Sequence, residues 1–174
     1  MNAEDLRALQ APLKARYRAE PDSARLTLHA RGTIAPEGIT CRVESAHSAA
    51  IEAGLHPSAG GDGSEACAGE MLLQALVACA GVTLRAVATA LEIPIRGGTI
   101  RAEGDFDVSG TLGIRKDVPV GFSAVRLAFD LDADASDDRL ADLLRLTERY
   151  CVVYRTLADP PRLSSTLARI SGDA

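Results

Sequence analysis

One stretch of 21 residues limits what this chain can fold into more than any other feature. Between Met71 and Leu91, 16 residues are apolar, a run about as long as a bilayer is thick. A membrane span is a poor interpretation, because much of the apolar content is alanine and Arg85 alone would cost about 2.5 to 3.5 kcal/mol at mid-membrane on insertion scales. The stretch instead predicts a soluble helix, from Glu70 to about Glu92, that is apolar on most sides because it is buried on most sides.

Such a helix needs more cover than one small sheet can give it. A modest sheet covers one side of a helix, so the remaining apolar side must pack against something else. We therefore expect a homodimer in which two copies of this helix meet at the interface.

The chain before this helix predicts a surface helix followed by a hairpin. Residues 3–19 place apolar side chains on one stripe of a helix, which Pro12 is expected to kink or split. Residues 25–31 and 39–44 alternate apolar and polar side chains on either side of a turn, as the two strands of a hairpin do. Five glycines within residues 54–69 then indicate a loop.

The chain after the helix predicts a second strand pair, two helices and a last strand. Residues 99–108 and 124–132 alternate as an antiparallel pair does. A serine followed by two aspartates predicts the start of a Leu-rich helix over about residues 136–150. A short helix over residues 152–157 ends before two prolines, and residues 163–167 alternate like a closing strand.

This order of elements predicts an α+β fold with antiparallel sheets, since strands and helices do not alternate as they do in parallel α/β proteins. The length of 174 residues is natural for one domain.

The charge balance argues against nucleic acid as a partner. Lys and Arg number 19 against 24 for Asp and Glu, a net charge of -5, and the chain has no Trp for base stacking. The first residues carry acids where a signal peptide would carry bases, and no apolar region follows them. We expect a cytoplasmic protein that binds neither nucleic acid nor membrane.

The four cysteines and three histidines do not indicate a metal centre. Structural zinc needs four ligands at close, paired spacing, and a cytoplasmic protein has little use for structural disulfides. We expect no metal and no other cofactor. The residues are Cys41, Cys67, Cys79 and Cys151, with His29, His47 and His56.

Two of the cysteines lie in apolar contexts. Cys79 is in the middle of the apolar helix, and Cys151 follows the Leu-rich helix. Each is most simply a small core residue, because free cysteine is among the most buried residue types. The alternative is a reactive thiol, which needs an electropositive neighbour.

The surroundings of these two cysteines resemble the OsmC/Ohr family. After a Gly-Gly-Asp-Gly loop, residues 70–80 read EMLLQALVACA, similar to the family helix E-x-L-L-x-A-L-x-x-C. Residues 148–157 read ERYCVVYRTL, similar to the segment that carries the family's second cysteine. The resemblance covers about residues 24–170, which leaves residues 1–20 as an N-terminal helical extension of a single OsmC-like domain over residues 21–174.

The resemblance implies an intertwined homodimer that reduces small organic hydroperoxides. Carried over to this chain, Cys79 would be the peroxidatic thiolate and Cys151 the resolving thiol, which condenses with the Cys79 sulfenic acid to form a disulfide. An external dithiol would then reduce the pair by thiol exchange.

The family's activating residues are harder to place. Its peroxidases carry a Glu near the start of the helix that holds an Arg, and the position matching that Glu is Gly69. Glu70 comes one residue later, and nine residues of helix turn through about 900°, which puts Glu70 on the opposite side from Cys79. Arg42, or else Arg31, lies in the part of the chain where the family's Arg is found.

An alternative function follows from that displaced Glu. An OsmC-like protein without peroxidase activity would bind a small apolar ligand, or would serve another thiol exchange.

Overall fold

The computed structural model describes residues 1–46 and 48–169. Eleven helices and strands follow one another within these residues, together with two short 3-10 turns at Pro21–Ala24 and Pro57–Ala59. In chain order the elements are α1 (Ala3–Ala19), β1 (Ala30–Ile34), β2 (Cys41–Ser45), β3 (Ser48–Gly54), β4 (Ala66–Cys67), α2 (Ala68–Ala90), β5 (Ile95–Asp105), α3 (Val108–Thr111), β6 (Ala124–Ala133), α4 (Asp137–Tyr150) and α5 (Val152–Ala158).

Helix α1 has the bounds that its apolar stripe predicts. It starts at a capping box, in which the Asn2 side chain accepts from the N–H of Asp5 at 2.8 Å and the Asp5 carboxylate accepts from the N–H of Asn2 at 3.1 Å. Pro12 lies inside the helix without splitting it. The helix packs against α2, and the domain boundary near residue 20 stays a prediction.

The first sheet has four strands in the order β1-β2-β3-β4. The β1–β2 hairpin is antiparallel, with Gly32 opposite Val43, whereas β3 and β4 pair in parallel. The first strand was predicted at residues 25–31 but lies at residues 30–34. The hairpin register pairs Ile34 with Cys41, and this brings residues 30–34 into the sheet. Strands β3 and β4 were not predicted.

Helix α2 buries one face in this chain. Every fourth residue is buried, at Leu76, Ala80, Leu84 and Ala88, and this face packs on β5, α4 and α5. Val82 on another face is 74% exposed. The single chain therefore buries one face of this helix and not, as the sequence had predicted, most sides. The helix is long and apolar enough to cross a membrane, a property that core helices of soluble proteins share.

The second sheet is the antiparallel ribbon β5–β6, with Ile100 opposite Phe129. The core beside it is formed by Leu84, Ala88, Ile93 and Leu143, from α2, the turn after it and α4.

The predicted closing strand is wrong for the described chain. Residues 163–167 form no strand, and Leu163 and Leu167 are 94% and 101% exposed. A strand needs an edge with which to pair, and alternation in the sequence does not supply one.

Candidate functional site

Cys151 lies at the join between α4 and α5 and belongs to both helix ends. Its N–H donates to the carbonyl of Thr147 at 2.9 Å, and its own carbonyl accepts from the N–H of Arg155 at 2.9 Å. Its Sγ accepts from the N–H of Tyr154 at 3.5 Å, so the thiol caps α5 where Ser or Asp commonly stands. The residue is 0% exposed. These contacts place the Cys151 sulfur at the start of α5.

Cys79 is half-buried and its sulfur faces the start of α5. The sulfur interacts with hydrogen-bond donors from the backbone of Val153 and Val152 and from the side chains of Cys151 and Thr83. Burial raises the pKa of the Cys79 thiol, but these donors stabilise the thiolate more, and the net pKa lies below its ordinary value. The structure thus brings the two predicted thiols together and favours the charged form of one of them.

The Cys151 thiol is shifted in the opposite direction. Burial raises its pKa, the N–H of Tyr154 lowers it, and the hydrogen bond to Cys79 and the charge of that sulfur raise it further. The net pKa of Cys151 is raised. Of the two interacting thiols, Cys79 therefore loses its proton more readily than Cys151.

The arginines named from the sequence do not act on Cys79 within the described chain. Arg42 donates to Glu44 at 3.0 Å and to Glu52 at 3.1 Å on the first sheet, and these carboxylates raise its pKa. Arg31 is exposed on β1. The pKa of Cys79 is lowered instead by the backbone N–H groups of Val153 and Val152 at the start of α5. These donors were missed, because the sequence does not say which helix end will face Cys79.

Glu70 lies on a face of α2 away from the thiols. It is exposed and lines a shallow groove with Gln74, Val77 and Ala102. This is the placement that the helical count predicted. Gly69, at the position matching the family's Glu, packs near the Phe122 ring, 3.5 Å from where a Cβ would stand.

The other two cysteines belong to the first sheet and its edge. Cys41 is on β2, and its Sγ lies 2.8 Å from where a Cβ on Gly32 would stand, so glycine makes room for this thiol across the hairpin. Cys67 precedes α2 and is half-buried. Among residues 1–46 and 48–169, no group of three or more His, Cys, Asp and Glu side chains is placed to hold a metal ion.

An apolar cavity of about 580 Å³ lies beside the thiol pair. Leu76, one turn before Cys79, and Tyr154, one turn after Cys151, line it, although neither sulfur does. Burial raises the pKa of Tyr154, and the nearby carboxylate of Glu148 raises it further. Neither residue of this pair was singled out from the sequence, although each is three residues from Cys151. The other lining residues are Leu72, Phe122, Ser123, Ala124, Val125, Leu127, Phe129, Leu157 and Ala158.

These features define a class of protein: an α+β fold in which a thiol in the middle of a long apolar helix faces a second thiol at the start of a short one. The OsmC-like protein family matches residues 61–166, more than half of the chain. The chain therefore belongs to the OsmC-like family, and the resemblance inferred from its sequence is confirmed. No curated protein matches the sequence significantly.

Solved structures share this fold. An OsmC-like protein from Mycoplasma pneumoniae has a TM-score of 0.65 at 16% identity, covering 78% of this chain and 89% of its own. An organic hydroperoxide resistance protein from Legionella pneumophila has a TM-score of 0.61 at 16% identity, covering 78% and 92%. One from Bacillus subtilis has a TM-score of 0.56 at 14% identity, covering 78% and 93%. The predicted α+β, OsmC-like fold is confirmed, and at these identities the likeness concerns the fold alone.

Proposed function

We propose that this protein is a dithiol-dependent reductase of small organic hydroperoxides, with Cys79 as the peroxidatic and Cys151 as the resolving cysteine. This proposal rests mainly on the placement of Cys79, on α2, next to Cys151 at the start of α5, where the pKa of Cys79 is lowered and that of Cys151 is raised. The thiolate is the nucleophile in thiol chemistry, so the pair is ordered for attack by Cys79. Relatives named for organic hydroperoxide resistance share the fold.

The proposed reaction has three steps. The Cys79 thiolate attacks the terminal oxygen of the hydroperoxide, the O–O bond breaks, and the leaving alkoxide takes a proton to become an alcohol while Cys79 becomes a sulfenic acid. Cys151 then attacks the Cys79 sulfur, so that an S–S bond forms, the S–O bond breaks and water leaves. An external dithiol supplies two electrons and two protons by exchange and restores both thiols.

The proposed setting is a homodimer in the cytoplasm. Val82 on α2 is largely exposed in one chain, and β1 is exposed along its whole length. A second copy that covers these surfaces would remove exposed apolar area from water. A reducing cytoplasm would supply the external dithiol and keep the pair reduced between turnovers.

The proposal is tested by oxidising the reduced full-length protein with one equivalent of cumene hydroperoxide and mapping peptides by mass spectrometry. We expect the selective loss of two hydrogens as a Cys79–Cys151 disulfide. Cys151→Ser should instead accumulate the Cys79 sulfenic acid, trapped with dimedone, and Cys79→Ser should stop peroxide consumption. Cys41→Ser is the matched control, which should oxidise as the parent does.

Consumption of peroxide by Cys79→Ser at the parental rate would show that the proposal is wrong. Unreactive thiols in the parent protein would favour the alternative function, an OsmC-like binder of a small apolar ligand. The cavity beside the thiol pair is the feature that supports that alternative.

A further inference from the structure

Phe122 stands at one end of the cavity beside the thiol pair. It lines that cavity of about 580 Å³ just before β6 begins at Ala124. Its ring also lies 3.5 Å from where a Cβ on Gly69 would stand, next to the start of α2. Leu76, farther along α2 and one turn before Cys79, lines the same cavity. The ring therefore closes the end of the cavity that lies farthest from Cys79 along α2.

The Phe122 ring rests on a glycine of β5. A Cβ on Gly104 would stand 2.6 Å from Cε1 and 2.7 Å from Cδ1 of the ring, closer than carbon atoms can approach one another. Glycine inside a strand often marks a place where another group approaches closely, and here it makes room for the ring. Phe106 packs on the ring edge to face, with the centroids 5.9 Å apart.

The backbone beside the ring is tied to the same strand. The N–H of Ser123 donates to the carbonyl of Asp105 at 2.7 Å, and the Ser123 hydroxyl donates to that oxygen at 3.1 Å. Asp105 is the last residue of β5 and lies opposite Ala124, the first residue of β6. The end of the β5–β6 ribbon thus sets the position of Phe122, while Gly104 and Phe106 occupy the space behind its ring.

The distance from this end wall to Cys79 follows from the helix between them. Gly69, beside the ring, and Cys79 are ten residues apart on α2. At the helical rise per residue, they are separated by about 15 Å along the axis. A molecule that reacts at the Cys79 sulfur and extends through the cavity toward the start of α2 would meet the Phe122 ring at about this distance.

We propose that Phe122 sets the maximum length of the molecules that reach Cys79 through this cavity. The inference rests on the proposed function only in taking Cys79 as the reacting thiol. A molecule shorter than the span between Cys79 and the ring fits inside the cavity. A longer one must displace a ring that has no free space behind it, because Gly104 and Phe106 lie there.

The experiment compares two thiol reagents that differ in the length of an alkyl tail. Extended N-hexylmaleimide is shorter than the span from Cys79 to the ring, and extended N-decylmaleimide is longer. The rate of Cys79 alkylation by each reagent, at concentrations where neither forms micelles, is followed by peptide mass spectrometry on the reduced full-length protein. In the parent we expect the decyl reagent to react no faster than the hexyl reagent, because the ring keeps the extra methylene groups out of the cavity.

Phe122→Ala should open this end of the cavity. We expect it to raise the ratio of the decyl rate to the hexyl rate at least about fourfold, the effect of burying one more methylene group. Leu112→Ala is the matched control, because Leu112 is an exposed apolar residue between β5 and β6 that does not line the cavity. This variant should keep the parental ratio.

Gly104→Ala tests the same wall in the opposite direction. Gly104 has no left-handed φ, so its backbone accepts alanine. The added methyl group would push the ring away from β5 and into the cavity. We expect the ratio of the decyl rate to the hexyl rate to fall below the parental value.

A faster reaction of the decyl reagent in the parent protein would overturn the inference, and so would a Cys79 that reacts with neither reagent. An unchanged ratio in a folded Phe122→Ala protein would also overturn it, as would a raised ratio in Gly104→Ala. The parental comparison needs no variant, so it decides even if both variants fail to fold. Because neither reagent is a peroxide, a length limit found in a protein whose thiols resist peroxide would refute the proposed function and leave this inference standing.

Discussion

Val152→Pro tests whether backbone N–H groups of α5 acidify Cys79. Val152 is the first residue of α5, where the N–H has no acceptor within the helix and proline is well tolerated. The preceding Cys151 has φ -73° and ψ 110°, an extended conformation that suits a residue before proline. The substitution therefore removes one donor from the Cys79 thiolate while leaving the helix start in place.

The size of the effect follows from the loss of one charge-assisted hydrogen bond. Such bonds contribute about 1.5 to 3 kcal/mol, and Val152 is the weaker of the two backbone donors to Cys79, so the lower end applies. That is about a tenfold loss of thiolate at a fixed pH below the pKa. A thiolate that is about tenfold more basic is also about threefold more nucleophilic, which offsets part of this loss. The alkylation rate should therefore fall about threefold rather than tenfold.

The assay is the rate of Cys79 alkylation by iodoacetamide as a function of pH, followed by peptide mass spectrometry. The pKa of Cys79 is lowered in the folded protein, so the rate should rise with pH through a midpoint below that of an ordinary thiol, and Val152→Pro should move this midpoint upward. Val152→Ala, which keeps the N–H and loses side-chain atoms, should behave as the parent. Identical pH profiles for Val152→Pro and the parent would refute the assignment of these backbone donors.

Two further predictions concern the core and the interface. Leu143→Ala should lower the free energy of unfolding, measured in urea, by about 2 to 5 kcal/mol, because Leu143 is 1% exposed in the core between α2 and α4. Leu163 is exposed, so Leu163→Ala is the control and should change that free energy by no more than about 0.5 kcal/mol. Val82→Asp should convert the proposed dimer to a monomer, measured by light scattering after size exclusion, because the dimer would bury the new carboxylate without a partner. Val82→Ala is the control and should remain dimeric. A dimeric Val82→Asp protein would contradict the proposed interface.

The helices could be predicted because their signals are local. The apolar run of α2, the stripe of α1 and the acidic start of α4 each lie within one stretch of chain, and the structure places these helices within a few residues of the expected bounds. The β5–β6 pair was predicted for the same reason, since both strands alternate over many residues.

The first sheet could be predicted only in part. An alternating pattern fits any extended segment, and pairing decides which residues become a strand. Residues 25–29 alternate but lie outside β1, because the hairpin register starts at Ile34 opposite Cys41. Strand β4 has two residues and pairs in parallel, which leaves no local pattern to detect.

The donors to Cys79 could not be found from the sequence for a different reason. The cysteines drew attention through their resemblance to known motifs, whereas the N–H groups of Val152 and Val153 are present in every non-proline residue and acquire a role only through packing. The expectation of a cationic side chain followed from treating Cys79 as part of α2 alone. Packing of α5 on α2 brings a second helix start to the sulfur.

The unequal exposure of the two thiols bears on the order of the proposed reaction. Cys79 is half-buried and its thiolate is favoured, whereas Cys151 is 0% exposed and its pKa is raised. In the proposed reaction a hydroperoxide would meet the half-buried Cys79, whereas Cys151 is shielded by the protein. In that reaction Cys151, which interacts with Cys79, would attack the sulfenic acid before a second peroxide oxidises the sulfur irreversibly. Burial and the N–H groups at the start of α5 thus shift the pKa values of two identical side chains in opposite directions, as the two steps of the proposed reaction require.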